Sequence, residues 1–304
     1  MNGKPRKTYD LCVLWNWEYD YDFVTLLAQF CLSQSHTVLQ VTPQELNKLS
    51  NDLEKGKLGF RVFLDRASED DEQFMPFVRW ACEKGGYYIN PYERARRSWD
   101  KAAMHYPFIN AGLYTPHSII LPAFTEQPNI PPLNLSELGD RFIIKPANGS
   151  GGEGVITDAT TWEEVIVHRT DHPQNRYLLQ TFILPQILDN RHAWFRVLYC
   201  RGQVYPCWWN TETHIYAPVS PVDIEQYSLG ALYEITTKIA EICGLDIFST
   251  EIAFTPDNLF IVIDYVNDQP DLRFQSKAID GVPDEIVQNI ALRLSEIVGI
   301  RTRV

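Results

Sequence analysis

Apolar residues in the first hundred positions alternate between two spacings. Short apolar runs at residues 11–15 and 60–64 are typical of buried strands, whereas residues 23–32 and 72–83 carry the spacing of helices. Strands that alternate with helices predict a parallel sheet with crossover helices, and residues 87–90 would form its last strand. The first third of the chain is therefore predicted to be an α/β unit.

The middle of the chain begins with a long helical pattern and then loses regularity. Residues 92–111 are predicted to form one helix, bent at Pro107 and stopped by Gly112. Residues 114–121 are predicted to be extended, and Pro122 ends this stretch. Three further prolines follow closely, which is typical of a surface connection rather than of an element of the fold.

The second half has the pattern of an α+β arrangement. Arg201 and Gly202 separate two apolar runs, residues 194–199 and 203–209, as expected for a β-hairpin. The other predicted elements are strands at residues 142–145, 177–183, 248–254 and 259–266 and helices at residues 227–243 and 284–298.

Composition and charge narrow the classes of function. The 304 residues are 45% hydrophobic, which is enough for a large core and about two domains. Asp and Glu outnumber Lys and Arg by 39 to 27, and the net charge of -12 argues against nucleic acid or an anionic membrane as a partner held by bulk charge. No apolar run is long enough for a membrane span, and the six cysteines form no CxxC pair. A cytoplasmic protein is expected.

A glycine-rich loop follows the strand at residues 142–145. Residues 149–154 hold four glycines, whose backbone amides can crowd around an anion, and Ser150 adds a hydroxyl donor. Lys145 at the strand end carries an ammonium that would reach a phosphate. The segment is neither a Walker A motif nor GxGxxG. A phosphate-binding loop and a plain turn both remain open.

Two carboxylates lie on the predicted hairpin near the C-terminus. If the turn pairs Phe254 with Leu259, Glu251 lies opposite Val262, and Asp264 is its diagonal neighbour on the same face. Two acids on an otherwise apolar hairpin need a cation or hydrogen-bond donors if they are buried, and oxygen ligands indicate Mg²⁺ or Mn²⁺. A solvent-facing side of the hairpin would explain the acids equally well.

Taken in order along the chain, these features resemble the ATP-grasp superfamily, and the resemblance covers nearly the whole chain. The order is a lysine, a glycine-rich loop, a strand, an arginine-bearing strand and a carboxylate hairpin. The resemblance implies an ATP-grasp fold, α/β with α+β in its C-terminal part. The implied domains are an N-terminal α/β unit at residues 1–98, a central subdomain at 99–185 and a C-terminal subdomain with the metal site at 186–304.

The resemblance also implies which residues contact the nucleotide. Lys101 and Lys145 resemble the two lysines that bind phosphates, and Asp189 or Asn190 would hold the ribose. The other implied contacts are Gly149, Ser150, Gly151 and Gly152 of a loop that closes over the phosphates and Gln180, Thr181 and Ile183 beside the adenine.

The implied ligands of Mg²⁺ or Mn²⁺ are Glu251, Asp264 and Asn267. The spacing of the last two departs from the family, which has one residue between the acid and the amide. Regular alternation places Asn267 on the wrong face unless the strand bulges, whereas Asp268 has the correct parity. Either residue therefore remains open as the third ligand.

Arginines are expected to complete the site. Arg196 resembles the arginine on a strand of glutathione synthetase and of ribosomal-protein glutamate ligases, which implies a catalytic role. D-Alanine–D-alanine ligase has an arginine two residues before its first metal ligand, where this chain has Ser249. Arg273 in the following loop is the expected replacement and the second candidate catalytic residue.

The activity implied by the resemblance is that of an ATP-dependent carboxylate–amine (or thiol) ligase. A carboxylate takes the γ-phosphoryl group of ATP, and an amine then displaces phosphate from the acyl phosphate. Small-molecule or peptide carboxylates and amines are the expected partners, and a homodimer is left open. The alternatives are a kinase of a small molecule, which shares this fold and stops after phosphoryl transfer, and a nucleotide-binding protein without turnover.

Overall fold

The computed structural model describes residues 7–84, 86–149 and 151–302, beginning with a parallel sheet. The strand order β2-β1-β3-β4 and the helices between the strands confirm the α/β prediction for the first third. The strands are β1 (Lys7–Trp15), β2 (Val38–Val41), β3 (Leu58–Arg66) and β4 (Tyr87–Ile89), and the helices are α1 (Tyr21–Ser33), α2 (Leu46–Glu54) and α3 (Met75–Lys84).

The long helix predicted at residues 92–111 is in fact two helices, α4 (Tyr92–Trp99) and α5 (Lys101–Asn110). The chain breaks at Asp100, whose backbone is extended and whose carboxylate accepts a hydrogen bond from the amide of Ala103 at 3.0 Å. Pro107, the predicted position of a bend, lies within α5 and does not end it. Asp100 is the N-cap that separates the two helices, and Lys101 is therefore the first residue of α5.

The second sheet is antiparallel, with the strand order β5-β8-β6-β7. A buried apolar cluster that includes Phe142, Ile144 and Leu179 lies on one of its faces. The strands are β5 (Ser118–Leu121), β6 (Phe142–Pro146), β7 (Ile156–Ala159) and β8 (Tyr177–Thr181), and the helix is α6 (Trp162–His168).

The third sheet is antiparallel, with the order β13-β12-β11-β14-β15, and it contains both predicted hairpins. The helix predicted at residues 227–243 begins only at Ala231. The strands of this half are the short pair β9 (Ile187–Leu188) and β10 (Arg191–His192), then β11 (Trp194–Cys200), β12 (Gln203–Trp209), β13 (Tyr216–Pro218), β14 (Ile247–Phe254) and β15 (Phe260–Asn267). Its helices are α7 (Pro221–Gln226), α8 (Ala231–Cys243) and α9 (Asp284–Thr302).

The register of the β14–β15 hairpin differs from the predicted one. The turn pairs Phe254 with Phe260 rather than with Leu259, and a further shift places Glu251 directly opposite Asp264. The predicted diagonal arrangement was wrong because regular alternation takes no account of bulges, which add a residue to one strand. Direct pairing brings the two carboxylates closer together than the prediction did.

The last helix joins the N-terminal unit to the third sheet. α9 packs against α1 and also contacts β1, β3 and β11. One buried cluster accordingly contains Leu11 of β1, Leu27 of α1, Leu198 of β11 and Ile290 of α9. The apolar core therefore runs across the predicted boundaries, which stay predictions. No helix in the described part of the chain is long and apolar enough to cross a membrane.

Candidate functional site

A cavity of about 410 Å³ lies between the second sheet and the β14–β15 hairpin. This volume falls within the range of small-molecule sites. Residues that the sequence singled out separately line its wall together. They are Lys101, Lys145, Gly149, Gly151, Gly152, Gln180, Thr181, Ile183, Glu251 and Asp264.

Both predicted phosphate lysines extend into this cavity from different elements. Lys101 opens α5, and its Nζ donates to the carbonyl of Gly149 at 3.0 Å and lies 3.5 Å from a carboxylate oxygen of Asp264. Lys145 is the buried penultimate residue of β6, and its Nζ donates to the carbonyl of Ile263 at 3.0 Å. Each ammonium keeps further donors, because an ammonium has three.

The glycine-rich loop forms one rim of the cavity. Gly151 and Gly152 have φ values of 61° and 77°, a conformation that favours glycine. No heavy atom lies within 4 Å of the position that a Cβ would take at either residue, so the space above the loop is open. Ser150, predicted as a phosphate contact, lies outside the described residues.

The segment predicted to contact adenine, at the end of β8, brings backbone amides and the side chain of Gln180 to the cavity. The amide of Thr181 donates to the carbonyl of His117 at 3.0 Å, so it is not free for a ligand. In the described ranges, the amide of Ile183 donates to no backbone carbonyl. Gln180 is 2% exposed and also lines the cavity. In the same ranges, the side-chain oxygen of Gln180 accepts no hydrogen bond, so this oxygen and the amide of Ile183 are without a protein partner.

The carboxylates face the arginine of the neighbouring strand. Arg196 lies opposite Glu251 across β11 and β14, and its Nη1 is 3.1 Å from Oε1 of Glu251. The indole of Trp194 donates to Oε2 of Glu251, also at 3.1 Å. The guanidinium of Arg196 lies 5.1 Å from the ring centre of Trp209. A strand pair thus fixes an anion–cation pair at the edge of the cavity.

Burial and neighbouring charges shift the ionisation of this group. Burial raises the pKa of Glu251, although Arg196 opposes the shift. Burial also pushes the pKa of Asp264 upward, but Lys101, Lys145 and Arg196 together hold that pKa below its ordinary value. For Lys145, burial lowers the pKa to about 8. The site therefore places three cations, of which Lys145 and Arg196 are desolvated, beside two carboxylates of unequal acidity.

The bulged register gives Asn267 and Asp268 different surroundings. Asn267 lies opposite Ser249, which puts it on the same face as Glu251 and Asp264 in spite of its spacing. Asp268 instead accepts a hydrogen bond from the indole of Trp99 at 2.6 Å.

The donor set on this face suits a hard divalent cation. Within residues 7–84, 86–149 and 151–302, no three His, Cys, Asp or Glu side chains gather in a metal-binding arrangement. The amide oxygen of Asn267, which also accepts a hydrogen bond from the amide of Gln269 at 3.1 Å, would be the third oxygen on this face. The buried hydroxyl of Ser249 has no hydrogen-bond partner in the structure, which leaves a further oxygen free on the same face. Two carboxylates and neutral oxygens fit Mg²⁺ or Mn²⁺.

Two predicted residues lie outside the cavity wall. Asp189 is in the turn between β9 and β10, where its carboxylate accepts a hydrogen bond from the hydroxyl of Tyr227. Arg273 pairs with Asp271 and with Asp280, the latter at 2.9 Å. The structure therefore does not bring either residue to the cavity.

Sequence reasoning missed several residues of the wall. Trp194, Thr211 and Ile263 line the cavity, and Trp194 also binds Glu251. An indole nitrogen on a strand beside Arg196 was the one available signal, because a half-buried indole N–H usually has a partner. Trp209 is buried and lies beside Arg196.

Comparison with solved structures identifies the fold. The ATP-grasp ligase PsnB complexed with a minimal precursor, Mg and ADP is similar at a TM-score of 0.63 and 14% identity, over 97% of this chain and 99% of that one. D-Cycloserine synthetase DcsG has a TM-score of 0.64 and 13% identity, over 95% and 99% of the two chains.

A third similar structure is the D-alanine–D-alanine ligase from Bacillus anthracis complexed with ATP. Its TM-score is 0.63 at 12% identity, over 97% of this chain and 98% of that one. No family model and no curated protein sequence matches the chain. The structural likeness extends over almost the whole chain, and the protein therefore has the ATP-grasp fold.

Proposed function

We propose that this protein, built on the ATP-grasp fold, is an ATP-dependent ligase that joins a carboxylate to an amine. One observation carries the proposal. Two lysines, a glycine-rich loop and a carboxylate pair from separate parts of the chain line a single cavity. The solved structures with the same fold include ligases complexed with ATP or with Mg and ADP, which supports the same chemistry here.

The chain's own groups suit the binding of a nucleotide. The adenine would lie against β8, where Ile183 offers an amide and Gln180 a side-chain oxygen. The phosphates would lie between Lys101, Lys145 and the glycine-rich loop, whose open backbone can surround an anion. Phosphoryl transfer depends mainly on such positioning and charge neutralisation.

Glu251, Asp264 and Asn267 would hold Mg²⁺. When bound, the ion supplies positive charge to the phosphate oxygens. Arg196, held by Glu251, would donate to the γ-phosphoryl group and to the acyl phosphate that follows. The glycine-rich loop would exclude water, which otherwise hydrolyses an acyl phosphate. An amine then attacks the acyl carbon, and phosphate leaves with the bonding electrons.

The reaction class is tested with hydroxylamine as the acceptor. The protein is incubated with ATP, Mg²⁺, hydroxylamine and a panel of small carboxylates and carboxylate-bearing peptides, and ADP and hydroxamate are measured. We expect hydroxamate to accumulate in step with ADP for at least one carboxylate. Glu251→Gln should abolish both signals, and Glu241→Gln, an exposed change on α8, should leave them unchanged. A phosphorylated product without hydroxamate would indicate a kinase and contradict the proposal.

A further inference from the structure

The side-chain amide of Gln180 is held from behind by a network of hydrogen bonds that the nucleotide would not touch. Ser118, Gln180 and Ile143 are paired across β5, β8 and β6, so their side chains share one face. Ile143 and Gln180 line the cavity on this face. The amide nitrogen of Gln180 donates to the hydroxyl of Ser118 at 2.8 Å and approaches that of Tyr265 at 3.5 Å.

The partners of Ser118 show which end of the amide faces it. Its hydroxyl donates to the carbonyl of Pro116 at 2.7 Å, which uses its single proton. Ser118 can therefore only accept from Gln180. An amide oxygen turned toward Ser118 would face a second acceptor, so the nitrogen must take this position.

Tyr265 favours the same orientation from the other side. Its hydroxyl oxygen lies 2.6 Å from Nδ1 of His105 in a buried contact. Burial lowers the pKa of His105, and Lys145 reinforces the shift, which favours the neutral imidazole. In the tautomer that carries its proton on Nε2, Nδ1 accepts the hydroxyl proton of Tyr265. In that tautomer the hydroxyl of Tyr265, like that of Ser118, is left as an acceptor for the amide nitrogen of Gln180.

The oxygen of the amide is consequently the end presented to the cavity. In the part of the chain that the structure describes, Oε1 of Gln180 accepts no hydrogen bond. This oxygen is nevertheless not fully buried, so a ligand in the cavity can reach it. An acceptor at this place matches the exocyclic amino group of adenine. Guanine has a carbonyl oxygen at the corresponding position, which would face another acceptor.

We propose that Ser118 and Tyr265 are positioning residues that set the preference of the cavity for adenine over guanine nucleotides. They act by fixing the Gln180 amide with its oxygen toward the base. This inference rests on the proposed nucleotide site on β8. It assigns a task to a buried polar network behind that site, where neither side chain lines the cavity.

The experiment compares the affinities of two nucleotide analogues in matched variants. Dissociation constants of AMPPNP and GMPPNP are measured by calorimetry with Mg²⁺ for the wild type, for Ser118→Ala and for Ser118→Ala/Tyr265→Phe. The double variant removes both acceptors, so its amide can turn over and offer its nitrogen to guanine. We expect the dissociation constant of GMPPNP divided by that of AMPPNP to fall at least about tenfold in the double variant. The reason is that a site built to pair a hydrogen-bonding group rejects analogues that leave the group unpaired. The single variant should show a smaller fall.

Two further variants separate positioning from general damage. Gln180→Glu in the double-variant background has an acceptor at both ends, so it should restore the preference for AMPPNP. Tyr88→Phe removes a buried hydroxyl that donates to Asp65 at 2.9 Å, far from β8 in the chain, and should leave the ratio unchanged.

The measured affinities separate the positioning role from the nucleotide site itself. An equal loss of affinity for both analogues in the double variant, or in Ser118→Ala if the double variant does not fold, overturns the positioning role while the nucleotide site stands. A wild type that binds neither analogue overturns both this inference and the proposed function.

Discussion

Arg196 shows how one side chain is assigned to catalysis or to structure. The sequence placed an arginine in an apolar strand, where it needs an anion or a cleft. The structure supplies an anion, Glu251, at 3.1 Å, and places the pair beside the cavity. The sequence alone identified the arginine but not its partner, because a contact across β11 and β14 depends on the register of two strands far apart in the chain.

Arg196→Lys tests the catalytic role of this arginine. Lysine keeps the charge near Glu251 but loses the planar fork, so we expect turnover to fall on the order of 10²–10³-fold while most ATP affinity and the melting temperature are kept. Arg201→Lys is the matched control, because Arg201 pairs with Asp246 at 3.2 Å outside the cavity. A normal rate with a lowered melting temperature for Arg196→Lys would show a structural ion pair instead.

Lys145 gives a second prediction at this scale. Its burial lowers its pKa to about 8, so the folded protein without nucleotide gains little from the charge. Lys145→Met should therefore leave the melting temperature unchanged or raised and weaken ATP binding at least about tenfold. Calorimetry and thermal denaturation on the same preparation check both values. Unchanged ATP affinity, with the exposed Lys57→Met as reference, would remove Lys145 from the phosphate site.

Some features of the β14–β15 hairpin could be predicted from its sequence, and others could not. The apolar runs and the intervening turn predicted both strands, whereas their two acids left a metal site and a solvent-facing side of the hairpin open. The bulges could not be predicted, because the alternation of apolar and polar residues along a strand does not reveal where an extra residue is inserted. Only the spacing between Asp264 and Asn267 indicated an irregular strand, and the structure resolves it by pairing Asn267 with Ser249.

Asn90 holds the ends of both strands of this hairpin. Its side-chain nitrogen donates to the carbonyls of Ile247 and Asp268, and its oxygen accepts from the amides of Asp246 and Ile247. Asn90→Ala should lower the free energy of unfolding by about 1–3 kcal/mol, because buried backbone groups lose their partners. Denaturant titration measures the change. Asn134→Ala, at an exposed turn, should stay within about 0.5 kcal/mol, and an equal effect of the two changes would contradict the account.

At the scale of the molecule, the N-terminal unit and the third sheet share one apolar core. Alternating patterns predicted the parallel sheet, and the order of motifs indicated the ATP-grasp fold. The packing of α9 on α1 could not be predicted, because an amphipathic pattern shows which face is apolar and not what covers it. Ile290 of α9 is fully buried in this shared cluster.

A shared core predicts a single unfolding transition. Differential scanning calorimetry should show one peak, and Ile290→Ala should shift the whole peak downward, with a loss of about 2–5 kcal/mol. Ile300→Ala, at an exposed position of the same helix, should shift it little. Two peaks, of which Ile290→Ala moves only one, would show that the halves unfold separately.

The most direct test of the central claim is a crystal structure grown with AMPPNP and Mn²⁺, with anomalous scattering used to locate the metal. We predict the adenine against Gln180 and Ile183, the phosphates within hydrogen-bond distance of Lys101 and Lys145, and an anomalous peak within about 2.0–2.3 Å of oxygens from Glu251 and Asp264. Nucleotide bound elsewhere on the protein, or a metal peak away from both carboxylates, would contradict the account.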